Sequence, residues 1–194
     1  MEKKITGIVL AGGKSSRMGS DKGMIKLNGK KFIEHIIEAL IPNVSDIIII
    51  ANNDNYNNLG YKVYEDIIKE CGPLGGIYTG LMNSRTESNI IVSCDIPFIN
   101  SGLIRHIIKN MGRADISVPV FEGNTEPLCA VYTKGIASKL HDLIIHNELK
   151  IHNVLKHFIT TQVHITKTLD FYNNRLLMNI NTPEELKDQK EVSL

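Results

Sequence analysis

The feature that most restricts how this chain can fold is a series of short apolar runs with almost no polar interruption. "ITGIVL" (5–10), "DIIIIA" (46–51) and "NIIVSC" (89–94) are the clearest. "YKVY" (61–64), "ADISVPV" (114–120) and "PLCAVY" (127–132) follow the same habit. A strand with one wet face alternates apolar and polar residues, whereas an unbroken isoleucine run needs cover on both faces. Helices supply that cover, and the sequence places them between the runs. In "KKFIEHIIEALI", Phe32, Ile33, Ile36, Ile37 and Leu40 fall at helical spacing before Pro42 stops the pattern. "SGLIRHIIKNM" repeats the arrangement with Leu103, Ile104, Ile107, Ile108 and Met111, behind Ser101 as the expected N-cap. The expected fold is α/β, a single-domain, three-layer α/β/α sandwich around a mostly parallel sheet.

The chain carries a complete helix-start signal in "INTPEELKDQ". Thr182 is the N-cap, Pro183 takes the first helical position, and Glu185 completes a capping box. No repeat, low-complexity tract or linker divides the 194 residues, a length that suits one domain. A formal net charge of +1 exerts no general pull on nucleic acid or an anionic membrane. Any anion must therefore be met by a local site. Cys71, Cys94 and Cys129 are odd in number and widely spaced, which argues against a disulfide framework or zinc site and suits a reducing compartment. The apolar run near the N-terminus is too short for a signal peptide, and no later run approaches about 18 residues. A cytoplasmic protein is the expectation.

In open α/β sheets, ligands settle at the carboxyl ends of the strands. The loops there are "AGGKSSRMGSDK", "NND", "EDIIKECGPLGG" and "DIPF". In the first, Gly12 and Gly13 can turn tightly and bring backbone N–H groups to phosphate oxygens, while Lys14, Arg17 and Lys22 add charge. A solvated surface loop is the plainer reading of the same glycines and serines. Two common phosphate motifs are excluded. GxxxxGK[ST] fails because Met18 stands where its second glycine belongs, and GxGxxG fails because Lys14 takes the second glycine's place.

"LAGGKSSRMGSDK", with Asp21 before Lys22, resembles the signature of nucleotidyltransferases that have a Rossmann-like, nucleotide-diphospho-sugar transferase-like fold. Followed by "GMIKLNGKKFIEH", it is most similar to the molybdenum cofactor guanylyltransferases, the MobA-like family. The likeness continues in order through "EDIIKECGPLGGI", "SCDIPFI" and "MNINTPEEL". The resemblance implies transfer of GMP from GTP to the terminal phosphate of molybdopterin, with release of pyrophosphate and Mg²⁺ as cofactor. It implies Lys22, Arg17 and Asp95 as catalytic residues, with Lys22 on the α-phosphate, Arg17 on the β- and γ-phosphates, and Asp95 on the metal. The implied nucleotide site comprises Leu10, Ala11, Gly12, Gly13, Lys22, Asn52, Asp66, Gly75 and Asp95; the resemblance sets "NTEPLCAVY" (124–132) and "MNINTPEE" (178–185) near the pterin, with Asn179 and Asn181 as the implied acceptor residues. Residues 1–100 would form a nucleotide-binding half and 101–194 an acceptor half. Pathway proteins and acceptor molybdoenzymes are the implied protein partners, with neither nucleic acid nor membrane among them.

Beside what the resemblance implies, each of these residues has a plainer reading of its own. Asp95 follows an apolar strand and Pro97 bars its continuation, so its carboxylate either holds Mg²⁺ against triphosphate oxygens or caps a turn. Asp66 either sits near the nucleotide or is a surface turn acid. Asn52 and Asn53 could reach a base or ribose, while Ile50 stands where some relatives carry a nucleotide-contacting asparagine. In "CGPLGG", Pro73 fixes a turn and Gly75 and Gly76 permit a close approach, whether to a ligand or simply at a helix entry. Asn181, directly before Thr182, either faces the acceptor or serves the helix start. The turn in "FEGNTE" reads as a strand connection. The seven histidines lack metal-ligand spacing, and Cys94 reads as a small buried side chain. Rival activities are a cytidylyl- or sugar-phosphate-specific transferase and a non-catalytic nucleotide-binding module.

Overall fold

The apolar runs become neighbouring strands. The computed structural model describes residues 4–12 and 21–191. The first half contains β1 (Ile5–Leu10), β2 (Lys26–Leu27), β3 (Lys30–Lys31), α1 (Phe32–Leu40), β4 (Asp46–Ile50), β5 (Lys62–Tyr64), α2 (Pro73–Asn83) and β6 (Ser88–Ser93). The second contains α3 (Ser101–Lys109), β7 (Ile116–Phe121), β8 (Asn124–Thr125), β9 (Cys129–Thr133), α4 (Ala137–Ile145), α5 (Ile151–Leu155), β10 (Thr160–Ile165) and α6 (Pro183–Glu191). The main sheet runs β10-β7-β9-β6-β1-β4-β5, with β8 paired to β7; β2 and β3 form a separate hairpin. β1 is parallel to β4 and β6, β4 to β5, and β7 to β10. β9 runs antiparallel between β6 and β7. The sheet is thus mostly parallel, in the expected three-layer sandwich.

The isoleucine runs explain the layers. In β4, Ile47 and Ile49 pack with Ile33, Ile36 and Leu40 of α1 and with Leu103, Ile104 and Ile107 of α3. Their neighbours Ile48 and Ile50 face the other way, into Leu74, Ile77 and Leu81 of α2 and Leu140 and Ile144 of α4. Each fully buried aliphatic side chain contributes about 1.5–3 kcal/mol, so an unalternating strand is stabilised from both sides. No helix among the described residues is long and apolar enough to cross a membrane.

The topology also makes a crevice. From β1 the chain passes through α1 to β4 on one side, then returns through α2 to β6 on the other. The carboxyl ends of β1 and β6 therefore lie together at a point where connections diverge. Backbone bonds fix both exits: Ala11 N–H donates to the Ile50 carbonyl at 2.9 Å, and Cys94 N–H to the Leu10 carbonyl at 3.1 Å. A small third core brings the C-terminal segment to this crevice. Ile180, fully buried, packs with Leu27 and Phe32, and its N–H donates to the Asp95 carbonyl at 2.9 Å.

Two of the local signals fold as expected. Thr182 Oγ1 accepts from Glu185 N–H at 3.2 Å and Glu185 Oε2 accepts from Asn181 N–H at 2.6 Å, closing the expected cap. "FEGNTE" is the β7–β8 connection, turned by Glu122 and Gly123 at φ 49° and 84°. The expected N-cap of α3 is corrected. Asn100, not Ser101, caps it, accepting from Leu103 N–H at 3.0 Å while donating to the Phe171 carbonyl at 2.8 Å. Ser101 is the first helical residue.

Candidate active site

The site begins with a short helical turn, Lys22–Met24, that follows the glycine-rich loop. Its position is set by the residue before it. The Asp21 carboxylate accepts from Gly23 N–H at 3.2 Å, Asn53 Nδ2 at 2.9 Å, Asn55 Nδ2 at 3.2 Å and the Tyr56 hydroxyl. Tyr56 is fully buried, and burial together with the Asp21 bond pushes its phenol far up, so it stays a donor. Gly23 must be glycine here, because a Cβ would lie 2.5 Å from the Tyr56 hydroxyl. Asp21 thereby ties the Lys22 turn to the exit of β4.

Held in this way, Lys22 meets residues from two distant motifs. Its Nζ donates to Asn181 Oδ1 at 2.5 Å and stands 3.8 Å from Asp95 Oδ2. Lys22 and Asp95 are both 22% exposed, a pair worth about 0–1 kcal/mol net, so its importance is positional. Asp95 accepts no side-chain hydrogen bond from any described residue, and the turn-cap alternative finds no support. Of the two alternatives raised for Asn181, the helix start is seen directly, since its N–H joins the cap, while its side chain accepts from Lys22.

A second cluster lies at the exits of β4 and β5. Asn52 Nδ2 donates to Asp66 Oδ2 at 2.7 Å, and Asp66 N–H donates back to Asn52 Oδ1 at 3.0 Å. The remaining Asp66 oxygen, Oδ1, is buried without a partner among the described residues. Beside it, a Cβ on Gly76 would lie 3.7 Å from Oδ1, and one on Gly12 would lie 3.5 Å from Asn52 Nδ2. Leu10, Ala11 and Gly12 lead from β1 into this region. Asn53 is committed to Asp21 and to capping the turn at Asn55, and Ile50 is buried in the core against α2. Gly75 is buried in the first turn of α2, and the close approach it permits is to its own chain: a Cβ would sit 2.7 Å from the Ile68 carbonyl. Gly13, Lys14 and Arg17 lie outside the described residues.

On the other side of Asp95 opens a cleft of about 670 Å³, walled by Ser93 and Ile96, the 123–128 arc, Ile151 and His152, and by Asn179 and Asn181. The cleft therefore joins the two expected halves. Burial and the neighbouring Asp95 charge push the Glu126 carboxyl in its wall upward. Cys94 is buried and its thiol is pushed up to about 12, which leaves it unreactive at neutral pH. Among the described residues, no three His, Cys, Asp or Glu side chains converge on one point. Asp95, whose carboxylate accepts no hydrogen bond among the described residues and has Lys22 at 3.8 Å, suits an ion such as Mg²⁺ that takes one or two carboxylates and completes its shell with waters and substrate phosphates. Sequence reasoning missed Asp21 as a hub, although a carboxylate beside the motif lysine was a signal. Glu126 lies in "NTEPLCAVY", a stretch that the resemblance sets near the acceptor, but it was not singled out there.

The comparisons with known proteins decide the family. Residues 7–164 match the MobA-like NTP transferase domain. The chain belongs to the MobA-like NTP transferase family. A relative from Flavobacterium johnsoniae, named probable molybdenum cofactor guanylyltransferase, is 40% identical over 95% of this chain and 95% of its own. Within the family, the solved molybdopterin-guanine dinucleotide biosynthesis protein A of Archaeoglobus fulgidus superimposes with a TM-score of 0.81 and 25% identity, covering 97% of this chain and 98% of its own. A 2-C-methyl-D-erythritol 4-phosphate cytidylyltransferase from Thermus thermophilus superimposes at 0.73 with 13% identity, over 100% of this chain and 99% of that one. That likeness shows a shared fold alone.

Proposed function

We propose that this MobA-like nucleotidyltransferase is a molybdenum cofactor guanylyltransferase, moving GMP from GTP onto the terminal phosphate of molybdopterin. The observation that carries the reading is the meeting of Lys22, Asp95 and Asn181, from three separate motifs, between the nucleotide crevice and the 670 Å³ cleft. GTP would lie across the ends of β1, β4 and β6, with the acceptor in the cleft beyond Asp95. An oxygen of the acceptor phosphate attacks the α-phosphorus, the bond from that phosphorus to the bridging oxygen breaks, and pyrophosphate leaves. A phosphate nucleophile is already ionised at neutral pH, so no strong general base is needed. What the protein must overcome is repulsion between two polyanions, by positioning and by fixed positive charge.

Lys22 supplies that charge at the α-phosphate, held in place by Asn181 and by the Asp21 turn. Arg17 would act on the β- and γ-phosphates. Asp66 would accept from a base edge that offers N–H donors, as guanine does, and its Oδ1, without a partner among the described residues, supports that reading. Asp95 is the residue that would hold Mg²⁺, which when bound neutralises part of the triphosphate charge. Asn179 and Asn181 would meet the acceptor. The reading places the protein among soluble cofactor-pathway enzymes of the cytoplasm.

The test is to combine the protein with Mg²⁺, molybdopterin and each of GTP, CTP, ATP and UTP, and to look for the dinucleotide product. GTP alone should yield it. Lys22→Ala should lower kcat by about 10²–10³-fold, and Asp95→Ala should remove Mg²⁺-dependent turnover. Turnover with CTP in place of GTP, or near-normal activity in Asp95→Ala, overturns the proposal.

A further inference from the structure

Glu126 is unusual for its place in the wall of the cleft. Its backbone is held from both sides: its N–H donates to the Pro119 carbonyl, and its carbonyl accepts from Cys129 N–H, each at 3.0 Å. The side chain is thus a fixed part of the wall rather than the tip of a free loop. Its carboxylate takes neither a hydrogen bond nor an ion pair from any described residue, and it lines the cleft with Asp95. A half-buried, unpaired carboxylate near a second one disfavours the fold, and a neutral side chain would spare it that cost. The arrangement makes sense if a ligand brings the missing donors.

The cleft also says what kind of donor. Ile96, Pro127, Leu128 and Ile151 give the wall an apolar part that suits the face of a flat ring. A carboxylate repels phosphate, so Glu126 suits the uncharged end of the acceptor and not its anionic end. The pyrimidinone edge of a pterin presents two parallel N–H donors, the 2-amino group and N3–H, at a spacing that matches the two oxygens of one carboxylate. We infer that Glu126 is a specificity residue that accepts both donors of the acceptor's pterin ring. The inference rests on the proposal that the acceptor occupies this cleft.

Two fluorescent probes test it: 6-hydroxymethylpterin phosphate and the corresponding lumazine, in which an oxo group replaces the 2-amino donor. The wild-type protein should bind the pterin about 10–100-fold more tightly than the lumazine, the value of charge-assisted hydrogen bonds in such a site. Glu126→Gln should lose that preference, because its amide can donate to the oxo group, while GTP-induced thermal stabilisation in Mg²⁺ stays as in wild type. A Glu126→Gln protein that keeps the preference overturns the inference and leaves the cleft proposal standing. Loss of Mg²⁺-dependent nucleotide affinity with the pterin preference intact overturns it in favour of a metal-ligand role. A wild-type protein that binds neither probe overturns the cleft proposal itself, and the inference with it.

Discussion

At the scale of residues, the notable economy is Asp21. One carboxylate gathers donors from Gly23, Asn53, Asn55 and Tyr56, and so fixes the angle at which Lys22 leaves the chain. Catalysis by positioning is sensitive to small displacements, a misplacement of about 1 Å being worth as much as 10²-fold. Asp21→Ala is therefore expected to lower kcat by roughly 10–100-fold while acceptor affinity is retained, and Tyr56→Phe to follow in the same direction with a smaller effect. Steady-state kinetics with both substrates varied would check this; a wild-type kcat in Asp21→Ala would mean that Asn181 alone places the lysine. The resemblance singled out Lys22, Asp95 and Asn181, and the structure brings the three side chains together. The bonds around Asp21 were not legible, since nothing in the spacing of residues 53, 55 and 56 marks them as its partners. For Glu126 the resemblance reached the stretch "NTEPLCAVY" but not the residue, because a single acid before a proline reads as a turn until the strands on either side are folded around it.

At the scale of elements, legibility followed burial. The strands covered on both faces announced themselves as isoleucine runs, and α1 and α3 as amphipathic stripes. β10 did not, because "TTQVHI" is a partly exposed edge strand whose polar residues face water. α4 and α5 carry no clear signal either, lying in a stretch whose polar residues mask the buried Leu140, Ile144, Val154 and Leu155. The element that matters most to the site is the short segment before α6. Ile180 anchors it in a pocket with Leu27 and Phe32, and so delivers Asn179 and Asn181 to either side of the Asp95 carbonyl contact. Ile180→Ala should cost about 2–5 kcal/mol locally, the usual range for emptying a buried aliphatic site. Hydrogen exchange should then show faster exchange at Ile180, whose N–H bonds to Asp95, and across α6, with β1, β4 and β6 protected as before. Uniform loss of protection across the sheet would show instead that this small core supports the whole fold.

At the scale of the molecule, residues 1–100 and 101–194 share a single sheet. β9 is hydrogen-bonded along β6, and the cleft is walled from both sides of that division. A fragment ending at residue 100 would bare the β6 edge and the faces of Ile90, Ile91 and Val92, an aggregation-prone combination. Size-exclusion chromatography should find it associated or insoluble; a monomeric, cooperatively folding fragment would show that the halves are independent after all.

The bond from Lys22 to Asn181 spans 159 positions of sequence. Its consequence concerns synthesis. A nascent chain that has emerged only through α4 already has the strands β1, β4 and β6, yet its lysine still lacks the amide that steadies it. The contact that joins the Lys22 turn to the C-terminal segment can therefore close only once the residues before α6 have been made.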